Sequence, residues 1–252
     1  MNCCLDGVLI FEYPLKVYKV RLSYSSFLVS AACSTNASRS RHPNQDAFGA
    51  DQGLFVVADG VTRCNVADQA ASLAIWTMGE EMANLPQNTN SSKEVLGGVV
   101  EQVVARIYSE SRAQTPSLKP LTTLVAARMN LGGRVDIASV GDSPIFRIRG
   151  GVITRLITED DHDPTSHLLV QVVGARSVRV HLNSDQSQIG DTYLLCSDGL
   201  TNGLGDPQKI IGIVNTSATP EEACRNLIRA ANDAGGPDHI TVIVIRIMER
   251  PY

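Results

Sequence analysis

Residues 122–156 read "TTLVAARMNLGGRVDIASVGDSPIFRIRGGVITRL". Runs rich in Val, Ile and Ala are cut by "LGG", "GDSP" and "GG". Short apolar runs separated by Gly-containing turns read as hairpin-linked strands, so the stretch predicts an antiparallel meander. Parallel neighbours would need a crossover of about a dozen residues or more between strands, and none fits here. Upstream, Ala71, Ile75, Met78 and Met82 recur at helical spacing and predict an amphipathic helix over 66–84. After the polar "LPQNTNSSK" that begins at Leu85, a second helix shows Leu96, Val99, Val100, Val103, Val104 and Ile107 on one face.

Downstream of a polar stretch at about 158–190, "TYLLCS" is a strong strand. Asp206 then caps a helix with Pro207 in its first turn. Thr219 caps another, with Pro220 opening it, Glu222 completing a capping box, and Gly235-Gly236 stopping it. "ITVIVIRI" is the last strand, residues 54–58 are another, and residues 8–33 supply one or two more. Helices come in pairs, and the strands between them are hairpin-like. The expected fold is α+β, an α-β-β-α sandwich of two antiparallel sheets flanked by pairs of helices, rather than a doubly wound parallel sheet.

The chain has 252 residues and a net charge of -4. No basic surplus exists to neutralise nucleic-acid phosphates or an anionic membrane, and Lys and Arg are scattered. Six cysteines, at 3, 4, 33, 64, 196 and 224, form no CxxC pair. They read mostly as small buried residues of a reducing compartment, not as a zinc site. "LVSAAC" ending at Cys33 faintly resembles a lipoprotein cleavage site, but Glu12, Lys16, Lys19 and Arg21 interrupt any signal-like core. No apolar run is long enough to span a bilayer. The expectation is a cytoplasmic protein with no nucleic-acid or membrane partner.

Four aspartates abut strong strands: Asp59 in "LFVVADG" (54–60), Asp142 after "IASVG", Asp198 in "YLLCSDG" (193–199), and Asp238 before "ITVIV". Asp also favours turns for its own hydrogen bonds, which accounts for any one of them. Four together, two followed by Gly, suggest convergence. Converging carboxylates repel unless something neutralises them, and oxygen-only donors select hard ions such as Mg²⁺ or Mn²⁺. A glycine beside the carboxylate would let a backbone carbonyl approach the same ion. Two such ions suit in-line hydrolysis of a phosphate ester, with an Arg for the phosphoryl oxygens. Arg41 lies just upstream.

"RHPNQDAF" (41–48), "FVVADG" (55–60), "TTLVAA" (122–127), "IASVGDSPIFRIRGG" (137–151), "YLLCSDGL" (193–200) and "GGPDHITVIVI" (235–245) resemble, in order, the motifs of the PP2C (PPM) family of metal-dependent Ser/Thr protein phosphatases, most of all its compact bacterial members. The resemblance implies a single phosphatase domain over 29–250 with a reduced flap, preceded by an extension or extra strands at 1–28. It implies that Asp59 bridges two Mn²⁺ or Mg²⁺ ions, that the Gly60 carbonyl ligates one, and that Asp198 and Asp238 ligate the first. Asp142 matches the ligand of a third ion, Arg41 the phosphate-binding and catalytic arginine, and Asp46 an acidic residue holding metal-bound water. Gln45 and His239 stand beside these where relatives carry Glu and Asn.

The departures cluster at "DGVTRC" (59–64). Val61 carries no proton for a leaving group, and Arg63 is placed to line the pocket. The segment after "RLITEDDH" is short, with "HLLVQVVGA" (167–175) expected to supply the helix that follows the flap. The resemblance implies a monomeric enzyme acting on phosphoserine and phosphothreonine in proteins, opposing a Ser/Thr kinase. The alternative is a non-catalytic or weakly active PP2C-like regulatory or binding module, motivated by the altered loop.

Overall fold

The computed structural model describes residues 4–5, 8–9, 18–24, 26–38, 43–61, 66–86, 92–113, 119–157 and 171–250. The strands are β1 (Cys4–Leu5), β2 (Val8–Leu9), β3 (Tyr18–Ser23), β4 (Leu28–Asn36), β5 (Asp46–Asp51), β6 (Leu54–Asp59), β7 (Leu124–Met129), β8 (Arg134–Val140), β9 (Ile145–Arg149), β10 (Val152–Arg155), β11 (His181–Gln186), β12 (Thr192–Cys196) and β13 (Ile240–Met248). The helices are α1 (Ala67–Ala83), α2 (Lys93–Ala113), α3 (Asp198–Leu204), α4 (Pro207–Thr216) and α5 (Pro220–Asp233).

Two sheets form the centre. One runs β10-β9-β12-β13-β4-β3 and the other β11-β8-β7-β6-β5, while β1 and β2 pair with each other. All the pairings are antiparallel. The uninterrupted apolar runs are explained by burial on both faces. In β6, Phe55 and Val57 enter the core between the sheets, while Leu54, Val56 and Ala58 lie under α1 and α2. In β13, Ile243, Ile245 and Ile247 face the inter-sheet core, while Ile240, Val242 and Val244 meet α3, α4 and α5. Each fully buried side chain of this size contributes about 1.5–3 kcal/mol. The expected α-β-β-α layering is the observed one.

The helix caps form as expected at Asp206, which accepts from Gln208 N–H at 2.8 Å, and at Thr219, which accepts from Glu222 N–H at 3.2 Å. The Glu222 carboxylate reaches one residue further back than a capping box requires, to Ala218 N–H at 2.7 Å. The six-stranded side carries a third helix, the short α3, that the pattern did not predict.

The meander expected over 122–156 is only half right. β7 pairs with β8 and β9 with β10, but β8 and β9 belong to different sheets. "GDSP" is therefore a crossover and not a hairpin turn. Gly141 adopts a positive φ of 91°, and Pro144 has no N–H to continue a ladder. Both sheets pin the crossover: Ser143 Oγ lies 2.7 Å from Thr123 Oγ1, and Pro144 carbonyl accepts from Cys196 N–H at 3.2 Å. No helix among the described residues is long and apolar enough to cross a membrane. Cys33, Cys196 and Cys224 are free and buried.

Candidate metal centre

The sandwich brings one set of strand ends together. β5 and β6 place Asp46 directly opposite Asp59. Like charges in that position oppose pairing, so the backbone must hold them there. Asp59 N–H donates to Thr123 Oγ1 at 3.1 Å. Its carbonyl accepts from Thr123 N–H at 2.8 Å and from the Thr122 hydroxyl at 2.9 Å. Gly60 N–H donates to Gln45 carbonyl at 3.1 Å. A β-carbon on Gly60 would meet the Ala67 carbonyl group and Gln45 O at 2.7 Å, all backbone atoms unable to yield. Only glycine fits between the start of α1 and the loop before β5.

The other sheet contributes Asp198 and Asp238. Asp198 is the first residue of α3 rather than a free strand end, and its Oδ2 accepts from Asn202 Nδ2 at 2.9 Å. Gly199 lets α3 press on the connection between α5 and β13, because a β-carbon there would collide with His239 carbonyl. Asp238 Oδ1 accepts from His239 N–H at 2.9 Å. Asp142 sits in the crossover, and its carbonyl accepts from the exposed Arg155 at 3.3 Å.

These carboxylates feel one another. Burial first, and then the charges of Asp46, Asp198, Asp142 and Asp238, hold the Asp59 carboxyl well above the usual range. Burial and then Asp142 and Asp238 raise Asp198 to about 6, against hydrogen bonds to Asp59 and Asn202. Burial likewise raises Asp46, partly offset by hydrogen bonds from Thr241 and Ser197. Among the described residues no three His, Cys, Asp or Glu side chains form a ready-made cage for one ion.

Two buried atoms point to what fits. Asp46 Oδ1 and Gln45 Oε1 have no hydrogen-bond partner among the described residues. Buried acceptors without donors are costly, and water on a divalent cation is a strong donor. Clustered carboxylates beside a glycine carbonyl, with no sulfur or imidazole donor among them, fit hard divalent ions such as Mn²⁺ and Mg²⁺.

The expected residues Asp46, Gln45, Asp59, Gly60, Asp142, Asp198 and Asp238 therefore meet at one end of the sandwich. Arg41 and residues 62–65, including Arg63, lie outside the described residues. His239 is buried and accepts Ser38 N–H on Nδ1 at 3.0 Å, tying the end of β4 to the start of β13. The helix expected over 167–175 is not formed where it is described. Val173 makes an extended bridge to Thr122, which itself bridges Gly60, and residues 171–175 are non-helical. Backbone pairing beside the site outcompetes the weak helical pattern of that short segment.

Sequence reasoning missed Ser197, Thr241, Thr35 and the backbone-holding roles of Thr122 and Thr123. One signal was available. Thr241 interrupts an otherwise apolar strand buried on both faces, and a polar residue there needs a partner.

Residues 33–231 match the model of the family described as Protein phosphatase 2C. The chain belongs to that family. Its relatives include the serine/threonine protein phosphatase PstP of Mycobacterium tuberculosis, 26% identical over 84% of this chain and 44% of the relative. The chain thus spans less than half the length of that protein. The serine/threonine phosphatase stp of Listeria monocytogenes is 29% identical over 84% of this chain and 93% of the relative. Among solved structures, the catalytic domain of PstP in complex with two manganese ions superposes with a TM-score of 0.77, at 26% identity, covering 89% of this chain and all of that one. The fold, two antiparallel sheets between helix layers, is that of the PP2C domain.

Proposed function

We propose that the chain is a Mn²⁺- or Mg²⁺-dependent phosphatase that hydrolyses phosphoserine and phosphothreonine in proteins. One observation carries this reading: at one end of a PP2C sandwich Asp46 faces Asp59 across the sheet, and the charges of Asp46, Asp198, Asp142 and Asp238 all bear on the buried Asp59 carboxyl. Beside them, the buried acceptors Asp46 Oδ1 and Gln45 Oε1 have no partner among the described residues. Clustered carboxylates that destabilise a protein are kept where they are used.

Asp59 and the Gly60 carbonyl would hold the shared pair of ions, Asp198 and Asp238 the first, and Asp142 a third. When bound, the ions supply a water of lowered pKa and neutralise charge on the phosphoryl oxygens. The chain's own residues do the rest. Thr122 and Thr123 fix the Asp59 backbone, so the carboxylate cannot follow its repulsion away from Asp46. Asp46 and Gln45 accept hydrogen bonds and orient the attacking water. Arg41, by its match to the family motif, holds the phosphoryl oxygens in line. Val61 N–H is used on Leu121 carbonyl at 3.0 Å, and its side chain has no proton for the leaving alkoxide.

The substrates would be phosphoproteins made by a Ser/Thr kinase. The reading includes a monomer acting in the cytoplasm, supported by the buried free thiols of Cys33, Cys196 and Cys224. The test is hydrolysis of p-nitrophenyl phosphate and a phosphothreonine peptide with Mn²⁺, with EDTA and Asp198→Asn as controls. Turnover that needs Mn²⁺ and is lost in Asp198→Asn is the expected result. Wild-type turnover no higher than that of Asp198→Asn would make the chain a binding module.

A further inference from the structure

Beneath Asp46 lies a network of buried polar side chains. Ser197 Oγ is 2.8 Å from Asp46 Oδ2 and accepts Thr241 N–H at 3.0 Å. Thr241 Oγ1 is 2.6 Å from Thr35 Oγ1, which accepts Asn44 Nδ2 at 2.8 Å. Asn44 Oδ1 in turn accepts Asp46 N–H at 3.2 Å. The Thr241 side chain also lies close enough to the Asp46 carboxylate to favour its charged form. Thr35, Thr241, Ser197 and Asp46 are all buried, so these bonds do not exchange freely with solvent.

The direction of most of these protons can be assigned. Asp46 N–H is a donor, so the atom of Asn44 facing it must be the carbonyl oxygen, and the Asn44 amide nitrogen is left to donate to Thr35. Thr35 Oγ1 and Thr241 Oγ1 share a hydrogen bond in which either hydroxyl can donate. With Thr35 as the donor, the Thr241 proton is left to turn toward the nearby Asp46 carboxylate. On the second branch Ser197 accepts from Thr241 N–H, and its single proton goes to Asp46 Oδ2 at 2.8 Å in preference to the His239 carbonyl at 3.4 Å. Both branches lead to the same carboxylate, and Ser197 donates to it directly. Neither touches Asp46 Oδ1, which is the buried atom left without a partner among the described residues.

We propose that Ser197 and Thr241 are positioning residues, which tie one side of the Asp46 carboxylate into the protein and so present Oδ1 to water on the bound ions. The proposal rests on the divalent-ion reading above. Groups that orient the surroundings of a metal are worth about 10–100-fold in its affinity. Thr241 also links the branches, since its N–H serves Ser197 and its hydroxyl pairs with Thr35 beside Asp46. The strand β13 thereby couples the β4 end and the loop at 43–46 to the same carboxylate.

The test is Mn²⁺ affinity of the whole chain by titration calorimetry for wild type, Ser197→Ala, Thr241→Val and Thr241→Ser, with melting in EDTA measured alongside. Thr241→Val keeps the shape and removes the hydroxyl, whereas Thr241→Ser keeps the hydroxyl. Ser197→Ala and Thr241→Val are expected to bind Mn²⁺ about tenfold more weakly, and Thr241→Ser within about threefold of wild type. Excess Mn²⁺ should restore kcat on a phosphothreonine peptide with KM unchanged. A purely structural role would lower the melting temperature in EDTA and leave Mn²⁺ affinity unaltered, which overturns the proposal while leaving the phosphatase reading intact. Equal weakening by Thr241→Val and Thr241→Ser also overturns it. If Ser197→Ala does not fold, the Thr241 pair decides. Wild type that binds no Mn²⁺ removes the ion reading and this inference together.

Discussion

Replacing Asp198 by Asn should make the ion-free protein more stable while removing its activity. Burial, followed by the charges of Asp142 and Asp238, raises the folded-state carboxyl from 3.8 to about 6. At about 1.4 kcal/mol per tenfold, keeping Asp198 ionised in the fold costs about 3 kcal/mol. The unfolded chain ionises near the ordinary value. The group's contribution to stability is therefore fully present below about pH 4 and is lost as pH rises through 6. Asn carries no charge and escapes that loss. It forfeits about 0.5–1 kcal/mol at the N-terminus of α3, where a negative charge is favourable. It can keep the bond from Asn202 through its carbonyl oxygen. The net gain in EDTA at pH 8 is about 2 kcal/mol, or about 4–8 °C in melting temperature for a chain of this size. At pH 4 the two proteins should melt close together. Differential scanning calorimetry in EDTA across that range is the assay. A variant less stable than wild type at pH 8, or a difference that does not grow with pH, would refute the idea that the carboxylates strain the fold.

Three further outcomes are expected. Gly60→Ala should cost about 3 kcal/mol or more by urea unfolding, because its β-carbon meets only backbone; a loss under 1 kcal/mol would mean that α1 can shift. Arg149 grips Asp191, 1% exposed, through Nε at 2.7 Å and Nη2 at 2.6 Å, at the sheet end opposite the carboxylates. Arg149→Ala should lower stability by about 3–5 kcal/mol, leaving a buried charge underpaired, with activity per folded molecule unchanged; a shift in activity at equal folding would contradict this. Mn²⁺ should raise the wild-type melting temperature more at pH 8 than at pH 5, since the raised carboxylates must lose protons to bind it. An equal rise at both would count against ligation by these groups.

The helices and the doubly buried strands were legible because their patterns are local. Helical spacing in α1 and α2, caps at Asp206 and Thr219, and runs such as 54–58 do not depend on distant contacts. "GDSP" misled because hairpin turns and inter-sheet crossovers use the same residues. Whether β9 returns to β8 or joins β12 is decided by partners about 50 residues away, including Cys196. Segment 167–175 misled for a related reason, since Val173 gains ladder bonds to Thr122 that only the assembled site offers. The site aspartates were legible as strand-end carboxylates. Their hidden support was less so, because Ser197 and Thr35 are ordinary residues until the fold carries them to Asp46.

Anomalous scattering at the manganese edge, from crystals grown with Mn²⁺, tests the central claim most directly. The account predicts two strong peaks at the end of the sandwich, one shared by Asp59 and the Gly60 carbonyl, the other within ligand distance of Asp59, Asp198 and Asp238. Crystals saturated with Mn²⁺ that show no peak among these carboxylates would contradict it.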